Sequence, residues 1–142
     1  MSQIQEIAAY WGTRAKGYSE RCKIDLTDRS VFDWLDKICK YAPPKERLNV
    51  LDIGCGAGFF SILMAKAGHK VTSIDYTENM VRSAKENAKE AGVAIDVRQM
   101  DAQNLTFAED SFDLVVTRNV TWVMEEPEKA YREWMRVLKP GG

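Results

Sequence analysis

The chain has 142 residues, a formal net charge of −1, 45% hydrophobic residues and 29% charged residues. A nearly neutral chain has no overall field that would draw it to nucleic acid or to an anionic membrane surface. It also has no run of about 18 apolar residues, which a membrane-spanning helix would need. The totals therefore predict one soluble globular domain with neither nucleic acid nor membrane as a partner.

The cysteine content indicates a reducing compartment. Cys22, Cys39 and Cys55 are odd in number and widely spaced, and no C-x-x-C pair occurs among them. Such spacing argues against a zinc site and against a disulfide framework. We therefore expect free thiols, a cytoplasmic location and no bound metal.

The first part of the chain, residues 1–45, is predicted to form a helical cap. Within residues 2–26, apolar side chains recur at helical spacing, namely Ile4, Ile7, Ala8 and Trp11. Gly12 and Gly17 are predicted to loosen the backbone after that helix. A second helix is predicted over residues 28–41, and the pair Pro43-Pro44 ends it. The aromatic residues of this cap could cover a ligand or simply pack into the core.

From Leu48 onward, strand and helix patterns alternate, which is typical of parallel βαβ units. The predicted strands are 48–53, 70–75, 94–99 and 112–117, and the predicted helices are 57–67, 78–91 and 127–138. Because such crossovers are right-handed, we expect a Rossmann-like, doubly wound α/β sheet of strand order 3-2-1-4 over residues 46–142. A sheet of this kind binds ligands at the carboxyl ends of its strands.

A glycine-rich turn follows the first predicted strand and indicates a binding site. Gly54, Gly56 and Gly58 form a G-x-G-x-G pattern, and Asp52 stands two residues before it. A carboxylate there would repel a pyrophosphate and attract a cationic group. Asp75 ends the next strand, 21 residues after Gly54, about where an acid contacts ribose hydroxyls in nucleotide-binding folds. Asp75 alone would also suit NAD or FAD, and Asp52 could instead bond to amides of its own turn.

Five segments of the chain resemble the class I S-adenosylmethionine (SAM) dependent methyltransferases. They are Val50–Gly58, Asp75, Met100-Asp101-Ala102, Phe112–Val120 and Trp134–Gly142, and they follow one another in the family's order. The chain is most similar to the small-molecule branch, type 11, which includes quinone-biosynthesis methyltransferases. The resemblance implies that SAM is the cofactor and that the product is S-adenosylhomocysteine (SAH). It also implies a set of cofactor-binding residues: Asp52, Gly54, Cys55, Gly56, Gly58, Asp75, Tyr76, Met80, Asp101, Ala102, Asn119 and Tyr18.

The acceptor side is predicted from the segment after the fourth strand. Asn119 and Trp122 stand where family members bring the acceptor to the methyl donor. Trp122 could equally be a core residue beneath the loop. The segment Thr117–Val120 lacks the N-P-P-Y pattern of nucleic-acid amino-methyltransferases, so a small-molecule acceptor is expected. Methyl transfer by in-line displacement mainly requires orientation, and no dedicated general base is evident in the chain.

The family usually continues beyond the K-P-G-G segment, whereas this chain stops at Gly142. We therefore expect either a fragment or a sheet that another chain completes, and the bare edge of strand 4 could support a homodimer. Three functions stay open: a small-molecule methyltransferase, a SAM-binding module without activity of its own, and a nicotinamide-dependent oxidoreductase, which the glycine spacing and Asp52 disfavour.

Overall fold

The computed structural model describes residues 3–28, 30–118 and 124–142. Its elements are α1 (Gln3–Thr13), α2 (Ala15–Thr27), α3 (Ser30–Tyr41), β1 (Asn49–Ile53), α4 (Phe59–Lys66), β2 (Lys70–Asp75), α5 (Glu78–Ala91), β3 (Asp96–Gln99), β4 (Leu114–Thr117) and α6 (Pro127–Val137). From α3 onward, the strand and helix boundaries lie within about two residues of those expected from the sequence.

The four strands form one parallel sheet of order β3-β2-β1-β4, which confirms the predicted topology. In the register of β1, Ile53 lies beside Ile74 of β2 and Thr117 of β4. The carboxyl ends of the three strands therefore meet at one rim of the sheet. The order of the strands along the sheet reverses between β1 and β4. An open α/β sheet has its ligand crevice at the carboxyl ends of the strands at such a point.

The central strand β1 is apolar because helices cover both faces of the sheet. Val50, Leu51 and Ile53 are fully buried, as expected of a parallel strand with no solvent face. On one face, Val50 packs with Met64 of α4. On the other, Leu51 and Ile53 pack in a cluster with Trp134 and other residues of α6. This two-sided packing holds the carboxyl rim rigidly.

The amino-terminal helices differ from the expectation in one respect. Gly12 and Gly17 do not loosen the chain, because each lies inside a helix and the break falls at Arg14. A Cβ on Gly12 would lie 3.3 Å from Cγ2 of Thr77, so this glycine lets α1 pass close to the start of α5. Within the described residues, no helix is long and apolar enough to cross a bilayer.

Candidate ligand-binding site

The glycine turn between β1 and α4 forms the centre of the candidate site. Gly54, Gly56 and Gly58 all have positive φ angles, of 67°, 53° and 97°, which residues with a Cβ rarely adopt. A Cβ on Gly56 would meet no atom within 4 Å, whereas one on Gly58 would lie 3.4 Å from Cβ of Ala84. Gly56 therefore leaves open space beside the backbone, and Gly58 lets helix α5 pack closely.

Asp75 connects the glycine turn to the end of β2. Its two carboxylate oxygens accept hydrogen bonds from the Gly56 N–H at 3.0 Å and the Thr77 N–H at 2.9 Å. Burial raises the pKa of this carboxyl group, and the N–H groups of Thr77 and Gly56 oppose that effect. Each oxygen keeps acceptor capacity for a further donor, such as a ribose hydroxyl. The ribose contact itself stays a prediction.

Asp52 lies inside the fold, whereas the resemblance implies that it contacts the ligand. The residue is only 2% exposed, and its Oδ2 accepts the Ser61 hydroxyl at 2.6 Å. The Ser61 oxygen also lies 2.6 Å from the hydroxyl oxygen of Ser73. Burial raises the pKa of Asp52 to about 7, while the hydrogen bonds from Ser61 hold it down and the nearby Asp75 raises it further. With so little surface exposed, the position of Asp52 suits an effect through its charge better than direct contact.

Three other predicted cofactor-binding residues surround the glycine turn and the end of β2. Cys55 and Met80 are buried, with 9% and 4% of their surface exposed, and burial raises the pKa of the Cys55 thiol. A raised pKa keeps the thiol neutral, so a nucleophilic role is disfavoured. Tyr76 is half-buried, and its carbonyl accepts a hydrogen bond from the Gln99 side chain at 3.1 Å.

The segment Met100-Asp101-Ala102, which the resemblance implies would flank the adenine of the cofactor, forms a tight turn beside helix α6. The carboxylate of Asp101 accepts the Gln103 N–H at 2.9 Å and the Asn104 side-chain amide at 3.1 Å. The Ala102 carbonyl accepts the indole N–H of Trp134 at 2.9 Å. Asp101 thus makes contacts that are typical of a turn-forming aspartate, and adenine contact stays a prediction.

Three of the predicted residues cannot be placed fully. Asn119 and Trp122, the residues expected to face the acceptor, lie outside the described residues. Tyr18 has its backbone in α2, while its side chain also lies outside the described part. Helix α2 does reach the glycine turn, because the Cys22 thiol lies 3.6 Å from the Ala57 carbonyl.

Sequence reasoning missed the polar residues that hold the site together. Ser61 and Ser73 are fully buried beside Asp52, and Gln103 is 3% exposed. The Gln103 side-chain oxygen accepts the Glu126 N–H, which joins the adenine segment to the start of α6. A signal did exist for the two serines, since each interrupts an apolar run at an otherwise buried position.

The sheet order, the glycine turn and the acid at the end of β2 define a Rossmann-like class of nucleoside-binding α/β domains. The chain matches the Methyltransferase domain family over residues 51–142, and it belongs to that family.

Two relatives and one solved structure illustrate the similarity. A ubiquinone biosynthesis O-methyltransferase of Caulobacter vibrioides is 41% identical over 123 residues, which cover 85% of this chain and 48% of that protein. A malonyl-[acyl-carrier protein] O-methyltransferase of Erwinia pyrifoliae is 34% identical over 139 residues, covering 97% of this chain and 49% of that protein. The crystal structure of a SAM-dependent methyltransferase from Aquifex aeolicus has a TM-score of 0.69 and 29% identity, covering 86% of this chain and 68% of that one. The chain spans about half the length of the curated relatives it matches.

Proposed function

We propose that this chain binds SAM at the carboxyl rim of its sheet and serves methyl transfer to a small-molecule acceptor. The open backbone at Gly56, joined by a hydrogen bond to Asp75, is the observation that carries the proposal. A nucleoside can approach the turn where no Cβ blocks it, and a fixed acid stands beside the turn for its ribose. Family membership supports the same ligand.

The described residues suit the different parts of SAM. Asp75 would accept from ribose hydroxyls, and the turn of Asp101 and Ala102 would lie against the adenine. The buried charge of Asp52 favours a cation nearby, because Coulomb attraction is stronger in a low-dielectric interior than in water. When bound, SAM supplies a methyl group already activated by the positive sulfonium.

The remaining task of the protein is orientation. Holding an acceptor in line with the methyl–sulfur bond can lower the barrier by several kcal/mol. In this proposal, the packed sheet and the glycine turn hold the methyl donor in position for that alignment. His69 is poorly placed to act as a base, because it precedes β2 at the amino end of the sheet and its Nδ1 accepts the Leu48 N–H at 3.0 Å. The His69 ring is half-buried.

We propose an oxygen of a small molecule as the methyl acceptor. The two relatives described above are both named O-methyltransferases, and nucleic acid is disfavoured by the net charge of −1. The free thiols Cys22, Cys39 and Cys55 are consistent with our proposal of a cytoplasmic location.

A SAM-binding module without activity of its own is the second candidate. The chain spans about half the length of the curated relatives it matches, so the activity of the whole protein is itself part of the proposal. A methyl-transfer assay that compares this chain with one extended past Gly142 separates the two functions. Activity in the extended chain, with none in residues 1–142, would support the SAM-binding module.

The ligand is tested by calorimetric titration with SAH and with NADH. We expect SAH to bind and NADH not to bind, and the reverse would support the oxidoreductase. Asp75→Ala should weaken SAH binding about tenfold or more, because it removes a charged acceptor for the hydrogen bonds of the ribose hydroxyls. Asp96→Ala is the matched control, since Asp96 is an exposed acid on β3 paired with Arg98. Unchanged SAH affinity in Asp75→Ala would contradict the ribose assignment.

We also propose that the outer edge of β4 pairs with a second copy of the chain. Within the described residues, β1 is the only strand beside β4, and its residues Leu114–Thr117 are all half-buried. Leu138 forms a parallel bridge with Phe112 just before β4, so the proposed pairing concerns only the edge of Leu114–Thr117, and an open strand edge is a template for pairing. Sedimentation should reveal a dimer, with slow amide exchange in β4; a monomer with those amides still protected would contradict this.

A further inference from the structure

Arg118 stands on an aromatic surface at the rim of the sheet. Its guanidinium carbon lies 5.4 Å from the ring centroid of Trp34 and 6.0 Å from that of Phe60. The two rings meet edge to face at 5.2 Å. A second cation, the ammonium of Lys37, lies 5.2 Å from the Trp34 ring. We call these four residues the Arg118 cluster.

The position of Arg118 places the cluster beside the proposed cofactor site. Arg118 directly follows Thr117, which pairs with Ile53 in the sheet. The next residue after Ile53 is Gly54, so Arg118 and the first glycine of the turn leave neighbouring strands at the same rim. Phe60 belongs to the first turn of α4, the helix that the glycine turn begins. The cluster therefore borders the crevice between β1 and β4.

The two cations of the cluster lack acidic partners within the part of the chain that the structure describes. Other arginines are paired at short range: Arg98 with Asp96 at 2.7 Å and Arg136 with Glu133 at 2.7 Å. Arg118 is exposed and forms no such ion pair there. Ring stacking attracts the guanidinium without using its N–H donors. Those donors stay available to an anion from outside the chain.

We propose that Arg118, oriented by Trp34 and Phe60 and supported by the charge of Lys37, forms a carboxylate-binding subsite at the rim. A planar guanidinium binds a carboxylate through two parallel hydrogen bonds, which a lysine cannot reproduce. The proposal rests on the proposed function, because the anion would belong to one of the two molecules that meet at this rim. It is either the amino-acid carboxylate of the cofactor or a carboxylate on the acceptor.

The cofactor source is tested with SAH and 5′-methylthioadenosine, which shares the nucleoside but has no carboxylate. Calorimetry is run on the wild-type chain, on Arg118→Met and on Arg118→Lys. If the carboxylate is that of the cofactor, Arg118→Met weakens SAH about tenfold or more and leaves 5′-methylthioadenosine unchanged. Arg118→Lys restores only part of the SAH affinity, because the two-pronged geometry is lost.

The acceptor source is tested by titrating the SAH-loaded chain with benzoate and with benzamide, followed by NMR. If the carboxylate belongs to the acceptor, benzoate binds more tightly than benzamide, and Arg118→Met removes the difference while SAH affinity stays the same. Arg132→Met, at an exposed position on α6, is the control and should change neither the preference for benzoate nor the affinity for SAH.

The two experiments distinguish a failure of the carboxylate subsite from a failure of the proposed function. If Arg118→Met alters neither the SAH to 5′-methylthioadenosine ratio nor the benzoate preference, the subsite is wrong although SAH binds. If the wild type fails to bind SAH, the proposed function is wrong. Benzoate titration of the SAH-free chain then still tests the subsite, and a preference equal in wild type and Arg118→Met overturns it. Because Arg118 is exposed, thermal unfolding of the variants should match the wild type.

Discussion

Each end of the sheet contains one carboxylate with little exposed surface, and the pKa values of these two groups are shifted in opposite directions. At the amino end, Asp113 is 4% exposed and its pKa is lowered to about 2 by the Asn49 N–H and then by the Lys45 ammonium. At the carboxyl end, Asp52 is 2% exposed and its pKa is raised to about 7 by burial. Similar exposure of the two side chains therefore accompanies opposite pKa shifts, because Asp52 lies deep in the core whereas Asp113 lies near the surface beside two lysines.

Depth in the fold and the partners of the two groups together account for the difference in pKa. Asp113 accepts the Asn49 N–H at 2.8 Å and lies 2.9 Å from the Lys45 ammonium and 3.4 Å from that of Lys139. Asp52 has hydrogen bonds from Ser61 and a second acid nearby, and no cation contributes to its pKa shift. The amino end neutralises its buried charge within the chain. The carboxyl end leaves negative charge that a cationic ligand could neutralise.

The largest effect on stability is expected when the carboxylate of Asp113 is removed. Asp113→Ala should lower the free energy of unfolding by about 2–3 kcal/mol, because it leaves the half-buried Asn49 N–H unpaired and removes a charged acceptor. Urea denaturation measures it. Asp96→Ala removes an exposed ion pair and should cost less than about 0.5 kcal/mol. Equal losses in the two variants would show that burial does not distinguish these acids.

The same carboxylate should make the protein sensitive to acid. The folded pKa of Asp113, about 2, is below its usual value of 3.8, so its stabilising contribution is complete above the usual value. That contribution is lost as the pH falls from about 4 through about 2. Asp113→Asn should lose less stability over this range than the wild type, measured by urea denaturation at each pH. Parallel curves for the two proteins would contradict the assignment.

A smaller loss is expected when Asp52 loses its hydroxyl partner. Ser61→Ala should destabilise the protein by about 1–2 kcal/mol at pH 8, where the carboxylate is mostly ionised. At pH 5 the cost should shrink, because a protonated carboxyl group needs its partner less. Ser111→Ala, which removes a hydroxyl bond within a loop, is the control and should show no such dependence on pH. A Ser61→Ala cost that is the same at both pH values would contradict an ionisable partner.

The buried Asp52 should also reduce stability at high pH. Its folded pKa, about 7, lies above the usual 3.8, so its contribution is complete at low pH and is lost as the pH rises through 7. From pH 6 to pH 8 the wild type should lose about 1.4 kcal/mol relative to Asp52→Asn, which cannot ionise. Urea denaturation at both pH values measures the difference, and a constant difference would place the pKa outside this range.

The comparison also shows what the sequence could and could not predict. Strand order followed from the alternation of apolar runs, and Gly54, Gly56 and Asp75 were located by their spacing along the chain. The burial of Asp52 was not foreseeable in the same way. Its environment depends on Ser61 and Ser73, which come from α4 and β2 and meet Asp52 only in the folded protein. Spacing along one strand cannot reveal contacts between three elements. The stacking of Arg118 on Trp34, 84 residues earlier in the chain, was hidden for the same reason.

The smallest effect, and the most direct test of charge at the carboxyl end, compares SAM with SAH. These ligands differ in the methyl group and the sulfonium charge, so their affinity ratio reports the electrostatic preference of the site. As the pH rises from 6 to 8, Asp52 gains its negative charge, and the preference for SAM over SAH should grow about threefold. Asp52→Asn should flatten that rise, because its side chain is neutral throughout. Calorimetry with both ligands measures the ratio. A wild-type ratio independent of pH would mean that Asp52 shapes the site without attracting the cation, and a rise that persists in Asp52→Asn would assign the attraction to Asp75.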